Sequence, residues 1–417
     1  MKGRFLALIL LAGCTRPPRA EPPGPPLKSA TQAGDCGAET FGSEASFALD
    51  RADLRARGAS AKLLERLDRS AYVYFRALAR PFELRTCARF REERWHLPVV
   101  AIHGDAHIEQ FVVTPTTAGL EDFDQAAFGP AVVDLVRYAA SIQLACREVK
   151  WSCDADRAVS AYFRAYRASL DAPPSRSPLS ITARLRRETP AAPEPWIAWA
   201  EGLLLPLSSE EEAHVRRGWA DFQRLEAEVH PERPAASYDV IRVGSLQMGV
   251  GSALETKLLF RLRGPTDRPD DDWIVEARTS VLPSRSECAA RPPHGGSLQP
   301  LMFMTILGSR MPEVYGFASL GTETNPEFWV QSWVPGYREL SIGDLRSEEE
   351  LVELAEDAAR QLAGHFWTRF PEALRAVQRQ AQLKAFDRTA TRATALAREF
   401  ADDTRREWER FRGVKTP

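Results

Sequence analysis

Two short acidic segments, each set beside an apolar run, constrain this chain more than any other feature. Leu97-Pro98-Val99-Val100-Ala101-Ile102 has the length and character of a buried strand. It delivers His103-Gly104-Asp105-Ala106-His107. Phe111-Val112-Val113 predicts a second strand, a Thr-Pro-Thr-Thr turn follows, and Leu120-Glu121-Asp122-Phe123-Asp124 closes the block. Loops at strand ends are where such folds place reactive groups. A hairpin between the two clusters lets them converge on one metal-bound phosphate. One Asp then accepts a proton from a hydroxyl while another holds Mg2+. Carboxylates gathered this way repel one another, which predicts a raised pKa for at least one of Asp105, Asp122 and Asp124.

The rest of the chain provides a body large enough to carry such a site. A hydrophobic share of 44% over 417 residues excludes a wholly disordered chain. The balance of 55 Lys and Arg against 57 Asp and Glu argues against electrostatic nucleic-acid binding, so no nucleic-acid partner is expected. No apolar stretch reaches the roughly 20 residues that span a bilayer.

The start, MKGRFLALILLAGC, has a basic pair (Lys2, Arg4), an apolar core (Phe5 to Ala12) and a small-residue box, Leu11-Ala12-Gly13-Cys14. It resembles the bacterial lipoprotein signal, in which the Cys is lipidated and becomes the new N-terminus. Residues 1–14 are therefore expected to be signal peptide plus lipidated Cys14, anchoring the chain to a membrane. Thr15, rather than Asp, follows the Cys and points to the outer membrane, facing the periplasm. Residues 15–37 are Pro-rich and predict a semi-stiff tether. Five cysteines remain: Cys36, Cys87, Cys146, Cys153 and Cys288. An oxidising compartment allows disulfides. Cys146 and Cys153 are close enough to pair, but spacing leaves the connectivity open.

Apolar spacing predicts helices over much of 45–90, with Pro81 ending or kinking the second, and helices at 132–146 and 157–170. Residues 171–195 are Pro-rich and read as loop. A helix follows over 210–229 with Ser209 as N-cap. Near Tyr238 the period changes to that of strands: 239–243, 256–262, 273–277, 313–319 and 328–334, with a glycine-bearing turn at 244–252 and a helix at 298–307. Helices at 348–370 and 383–411 close the chain, the last read as a solvated surface helix.

HGDAHIEQF followed by EDFDQAAFGPAVVDLVRYAASI resembles the bacterial family called domain of unknown function 2252, and RVGSLQMGVGSALETKLLF with VEARTSVL resembles its later glycine-rich region. The likeness runs from about Tyr72 to Trp367. The first block is also similar to aminoglycoside and choline kinase-like phosphotransferases. That resemblance implies an ATP and Mg2+ site. Asp105 matches the catalytic-loop Asp, with His103 beside it, Asp122 the metal-binding Asp, and Asp134 the structural Asp. Asp124 or Gln110 would complete the metal set, and Gly249, Gly251, Ser252 and Lys257 would cradle the nucleotide phosphates. Three positions depart from the pattern. Gln110 stands where the family has a metal-binding Asn, Val275 aligns with the phosphate-binding Lys, and no Glu lies in 298–307. Lys257 or Arg278 is the candidate to stand in for the missing Lys. The order is also rotated, since the glycine-bearing hairpin follows the catalytic block. The expected fold is therefore α+β: a bilobal protein-kinase-like fold, circularly permuted. The large helical lobe comes first (38–237), the antiparallel-sheet lobe second (238–340), and C-terminal helices (341–417) pack back on the large lobe.

Three functions compete. The first is a degenerate kinase-like, membrane-anchored lipoprotein that binds a small-molecule or protein ligand without phosphoryl transfer. The second is an active ATP- and Mg2+-dependent phosphotransferase. The third is a metallohydrolase in which His103, Asp105 and His107 alternate along an extended segment and so share one face.

Overall fold

The computed structural model describes residues 45–56, 58–189, 193–246, 256–279, 288–290, 313–321, 327–367 and 372–413. The signal peptide, Cys14, the tether and Cys36 lie outside these, as do Gly249, Gly251, Ser252 and the expected 298–307 helix. Among the described residues no helix is long and apolar enough to cross a membrane.

Helices come first: α1 (Arg51–Ala56), α2 (Ala61–Asp68), α3 (Ala71–Arg76) and α4 (Ala79–Arg89). Pro81 starts a helix rather than ending one. It lies in the first turn of α4, where its missing N–H has no intrahelical partner to lose. Four short strands carry the acidic block: β1 (Val100–Ile102), β2 (Phe111–Val113), β3 (Ala118–Leu120) and β4 (Ala127–Gly129). The next helix, α5 (Val132–Glu148), is buried continuously from Val132 to Ala145. Its Cys146 bonds to Cys153, just before α6 (Ala155–Asp171).

The segment read as Pro-rich loop instead contains α7 (Ser180–Glu188) and the start of α8 (Pro193–Glu201). Buried Ile181, Leu185, Trp196 and Ile197 supply the apolar faces that composition had masked. After β5 (Leu204–Leu205) comes α9 (Ser209–Val229). Its N-cap is Ser208, one residue earlier than expected, in a reciprocal capping box with Glu211.

The strands read from the period-2 pattern are present: β6 (Val240–Leu246), β7 (Lys257–Leu262), β8 (Trp273–Thr279), β9 (Tyr315–Ser319) and β10 (Glu327–Ser332). With β5 they form one sheet in the order β5-β6-β7-β8-β10-β9, every pairing antiparallel. Alternation divides its faces. Leu258, Phe260, Leu262, Val275, Ala277, Phe328 and Val330 pack beneath Trp219 and Phe222 of α9. On the other face, Leu259 and Ile274 meet Trp196 and Ile197 of α8.

From β10 the chain passes through Trp333 and Tyr337 to β11 (Arg338–Glu339), which pairs with β2 and so returns to the helical part. The next helix, α10 (Glu348–Gly364), lies along α6. The last helix, α11 (Glu372–Phe411), packs against α5, α6 and α3. It is a core element, contrary to the solvated helix expected: Phe386, Ala393, Leu396, Ala397 and Phe400 are buried. Its many charges sit on the remaining faces and hide that stripe. Phe47, near the first described residue, packs into this core. Phe47 stacks on Phe82 at 4.5 Å, and Phe400 meets Phe47 edge-on at 5.3 Å. A second disulfide, Cys87–Cys288, ties α4 to the segment after β8, and Ala290 bridges Phe128 of β4. The architecture is α+β with antiparallel sheets.

Candidate functional site

The acidic block begins where β1 ends. The backbone N–H groups of His103 and Gly104 donate to the two carboxylate oxygens of Asp134, at 2.7 and 2.8 Å, in the first turn of α5. Gly104 has φ +80, and a Cβ there would lie 2.1 Å from the Gln125 carbonyl oxygen, so only glycine makes this turn. The turn breaks the extended run on which the His103, Asp105, His107 face was expected. His103 Nε2 donates to the Glu121 carbonyl at 2.8 Å, and its Nδ1 accepts from the Asp105 N–H at 3.3 Å, so both ring nitrogens are engaged. His107 packs edge-on against Tyr72 and Phe75, with Nε2 4.0 Å from Asp105. Burial, with Arg76 and Arg137 adding to it, holds His107 well below the usual imidazole range and therefore neutral.

Asp105 is gripped by Arg137, whose Nε donates at 2.6 Å and whose Nη2 meets the same carboxylate oxygen. Arg137 lies over the Phe75 ring at 4.2 Å and is fully buried. Burial pushes the Asp105 carboxyl above its ordinary range, and Arg137 offsets this only in part. The raised carboxyl expected from repulsion is thus found, but burial is its first cause and Asp122 a minor one.

Asp122 follows the opposite course. It has φ 66 and ψ 66, and among the described residues it is the one non-glycine with positive φ. Its Oδ1 accepts from Arg278 Nη1 of β8 at 3.0 Å, and the same nitrogen lies 3.6 Å from Asp124. Burial works to raise its pKa, but Arg278 and Lys257 overcome that and hold it well below the carboxylate range. Protein surrounds Asp122, yet its side chain is 39% exposed, so it faces a solvent-reachable space. Gln110 Nε2 reaches both carboxylates, Asp105 at 3.3 Å and Asp122 at 3.4 Å.

The sheet supplies the opposite wall through alternation on β7 and β8. Lys257 is buried with Nζ 3.7 Å from Glu276, which also accepts from Trp333 Nε1 at 3.0 Å. Val275 faces the α9 side, so the position aligned with the phosphate-binding Lys points away from the carboxylates. Trp329 of β10 packs on Ala101, Phe123 and Ala126, fixing the sheet against the acidic loop. Tyr337 and Glu339 complete the surroundings. Loss of water around the Tyr337 hydroxyl raises its pKa, and the Glu339 and Asp122 charges add to that shift.

The structure therefore brings together Asp105, His103, Gln110, Asp122, Asp124 and Lys257. The residues that sequence reasoning missed are Arg137 and Trp329. A lone Arg in the apolar run Val132 to Ala145 was a usable signal, because a buried guanidinium needs a carboxylate. As arranged, these groups offer Mg2+ no coordination shell. Asp122 and Asp124 face a guanidinium, and Gln110 turns its donor nitrogen toward Asp105 and Asp122. Among the described residues no three His, Cys, Asp or Glu side chains are arranged to hold a metal.

Residues 60–193 match a family described as "Uncharacterized protein conserved in bacteria (DUF2252)". That stretch carries β1 to β4, α5, Asp105, Asp122, Asp124, Asp134 and Arg137, and over it the chain is similar to that family. No curated protein and no solved structure matches the chain.

Proposed function

We propose that this protein is a degenerate kinase-like binding protein, permuted so that the helical lobe precedes the sheet, which holds an anionic ligand between the acidic loops and the sheet without transferring a phosphoryl group. One observation carries the reading: each carboxylate that phosphoryl transfer would use is already paired with an arginine, Asp105 with Arg137 and Asp122 with Arg278. A general base must be free to take a proton, and a metal ligand must be free to meet a metal. The backbone of His103 and Gly104 resting on Asp134 supports the kinase-like comparison, as does the antiparallel sheet facing the loops. Lys257, set opposite Arg278 on the neighbouring strand, gives the sheet face its affinity for anions. An envelope lipoprotein anchored through Cys14 belongs to the same proposal, since such a compartment has no expected ATP supply.

The test measures melting temperature with ATP, ADP and inorganic phosphate, each with and without Mg2+, alongside γ-phosphate release. A ligand-induced rise without turnover is expected. Turnover that disappears in Asp105→Asn would make the protein the active phosphotransferase instead. Stoichiometric zinc or iron in the purified chain would favour the metallohydrolase, to which the engaged nitrogens of His103 give no support. For the anchor, Cys14→Ser should move the protein out of the membrane fraction, and unchanged fractionation would remove that part.

A further inference from the structure

We propose that Arg278 is a tethered counter-cation that occupies, permanently and by covalent attachment, the place a divalent ion would take between Asp122 and Asp124. The inference rests on the reading above that the site works without metal-assisted transfer, and it assigns the residue responsible. A single nitrogen, Nη1, lies 3.0 Å from Asp122 and 3.6 Å from Asp124, two carboxylates from one short loop. It reaches them from a different part of the chain, 156 residues beyond Asp122.

Two features hold the guanidinium there. The β8 register sets Arg278 opposite Lys257 on β7 and opposite Trp329 on β10, on the face turned to the loop. Trp329 in turn packs on Phe123, the residue between the two aspartates, so the strand and the loop cannot drift apart without opening an apolar contact. Arg278 is itself buried, and a guanidinium does not lose its proton in proteins, so no ordinary pH clears the position. A divalent ion bound to these carboxylates would sit about 2.0–2.6 Å from their oxygens, in the space the Arg278 guanidinium already fills. Gln110 fits the same scheme. Its amide donates to Asp105 and Asp122, which suits a site whose remaining charge is balanced by donors and not by a metal.

The consequence is a latent metal site that one substitution should expose. The full chain is titrated with Mn2+, read by loss of the free-ion paramagnetic signal and by melting temperature. Wild type should show no saturable binding through the millimolar range. Arg278→Gln should gain about one saturable equivalent, because hard carboxylates freed of their cation take Mn2+. Arg278→Gln combined with Asp122→Asn should lose it again, and Arg278→Lys, which keeps a tethered cation, should behave as wild type. Folding is checked by circular dichroism. If Arg278→Gln does not fold alone, it is refolded with and without Mn2+, and recovery only with the ion supports the inference. Saturable binding by wild type, or a folded Arg278→Gln that gains nothing, overturns it, as does refolding that Mn2+ fails to rescue. Phosphoryl transfer by wild type would instead overturn the functional reading, so the two failures are separable.

Discussion

Asp105 and Asp122 are both carboxylates held by an arginine, yet the first is pushed above its usual pKa range and the second below it. The difference is one of setting. Arg137 of α5 and Asp105 of the loop after β1 are both deeply buried, with 0% and 11% of their side chains exposed, and there the cost of burying charge exceeds what one guanidinium returns. Asp122 is 39% exposed and feels both Arg278 and Lys257 across the junction with the sheet. The inner pair is therefore a structural lock. The outer pair lies at the solvent-reachable edge of the site, where water screens Asp122 while Arg278 stays in place.

The sharpest way to break this contrast is Arg137→Leu. It leaves Asp105 buried without its cation and should cost about 3–5 kcal/mol, read from urea unfolding. A loss no larger than that of an exposed pair would mean that Asp105 is not locked. Asp122→Asn should cost about 1 kcal/mol or less, since solvent reaches Asp122 and Asp124 still faces Arg278 in the variant. A cost as large as that of Arg137→Leu would place both pairs in the same class.

The smallest effect is in pH dependence, and its sign differs between the two. Asp122 has a depressed folded pKa, so its contribution is complete above the ordinary Asp value of about 4 and is lost as pH falls toward the folded value. The stability gap between wild type and Asp122→Asn should shrink on acidification from neutrality. Asp105 has a raised folded pKa, so its contribution is present below about 4 and is lost as pH rises through the folded value. Wild type should therefore lose ground against Asp105→Asn as pH rises from acid. Unfolding midpoints across the acid range check both, and slopes of the same sign would erase the distinction.

Much of the fold could be read because it rests on local periodicity. Each of the five strands expected between 239 and 334 has its counterpart in β6 to β10, since one apolar face against α9 imposes a strict alternation. Where burial depends on distant partners, the reading failed. α7 and α8 hide in a Pro-rich stretch, because their apolar residues are few and acquire meaning only against the sheet and the core. α11 looked solvated because its buried stripe is built largely of Ala, Thr and Phe among many charges. The carboxylates were legible as a set, but their partners were not. Arg137 is 32 residues from Asp105 and Arg278 is 156 from Asp122, and nothing local joins them.

The Cys87–Cys288 bond changes how the molecule would carry force. A pull applied between residue 45 and residue 413 would travel to Cys87, cross the disulfide and leave along the chain from Cys288. The intervening loop, which holds Asp105, Asp122, Lys257 and Arg278, would be bypassed and bear no covalent tension. With the bond reduced, the same pull would run straight through the acidic loop and the sheet.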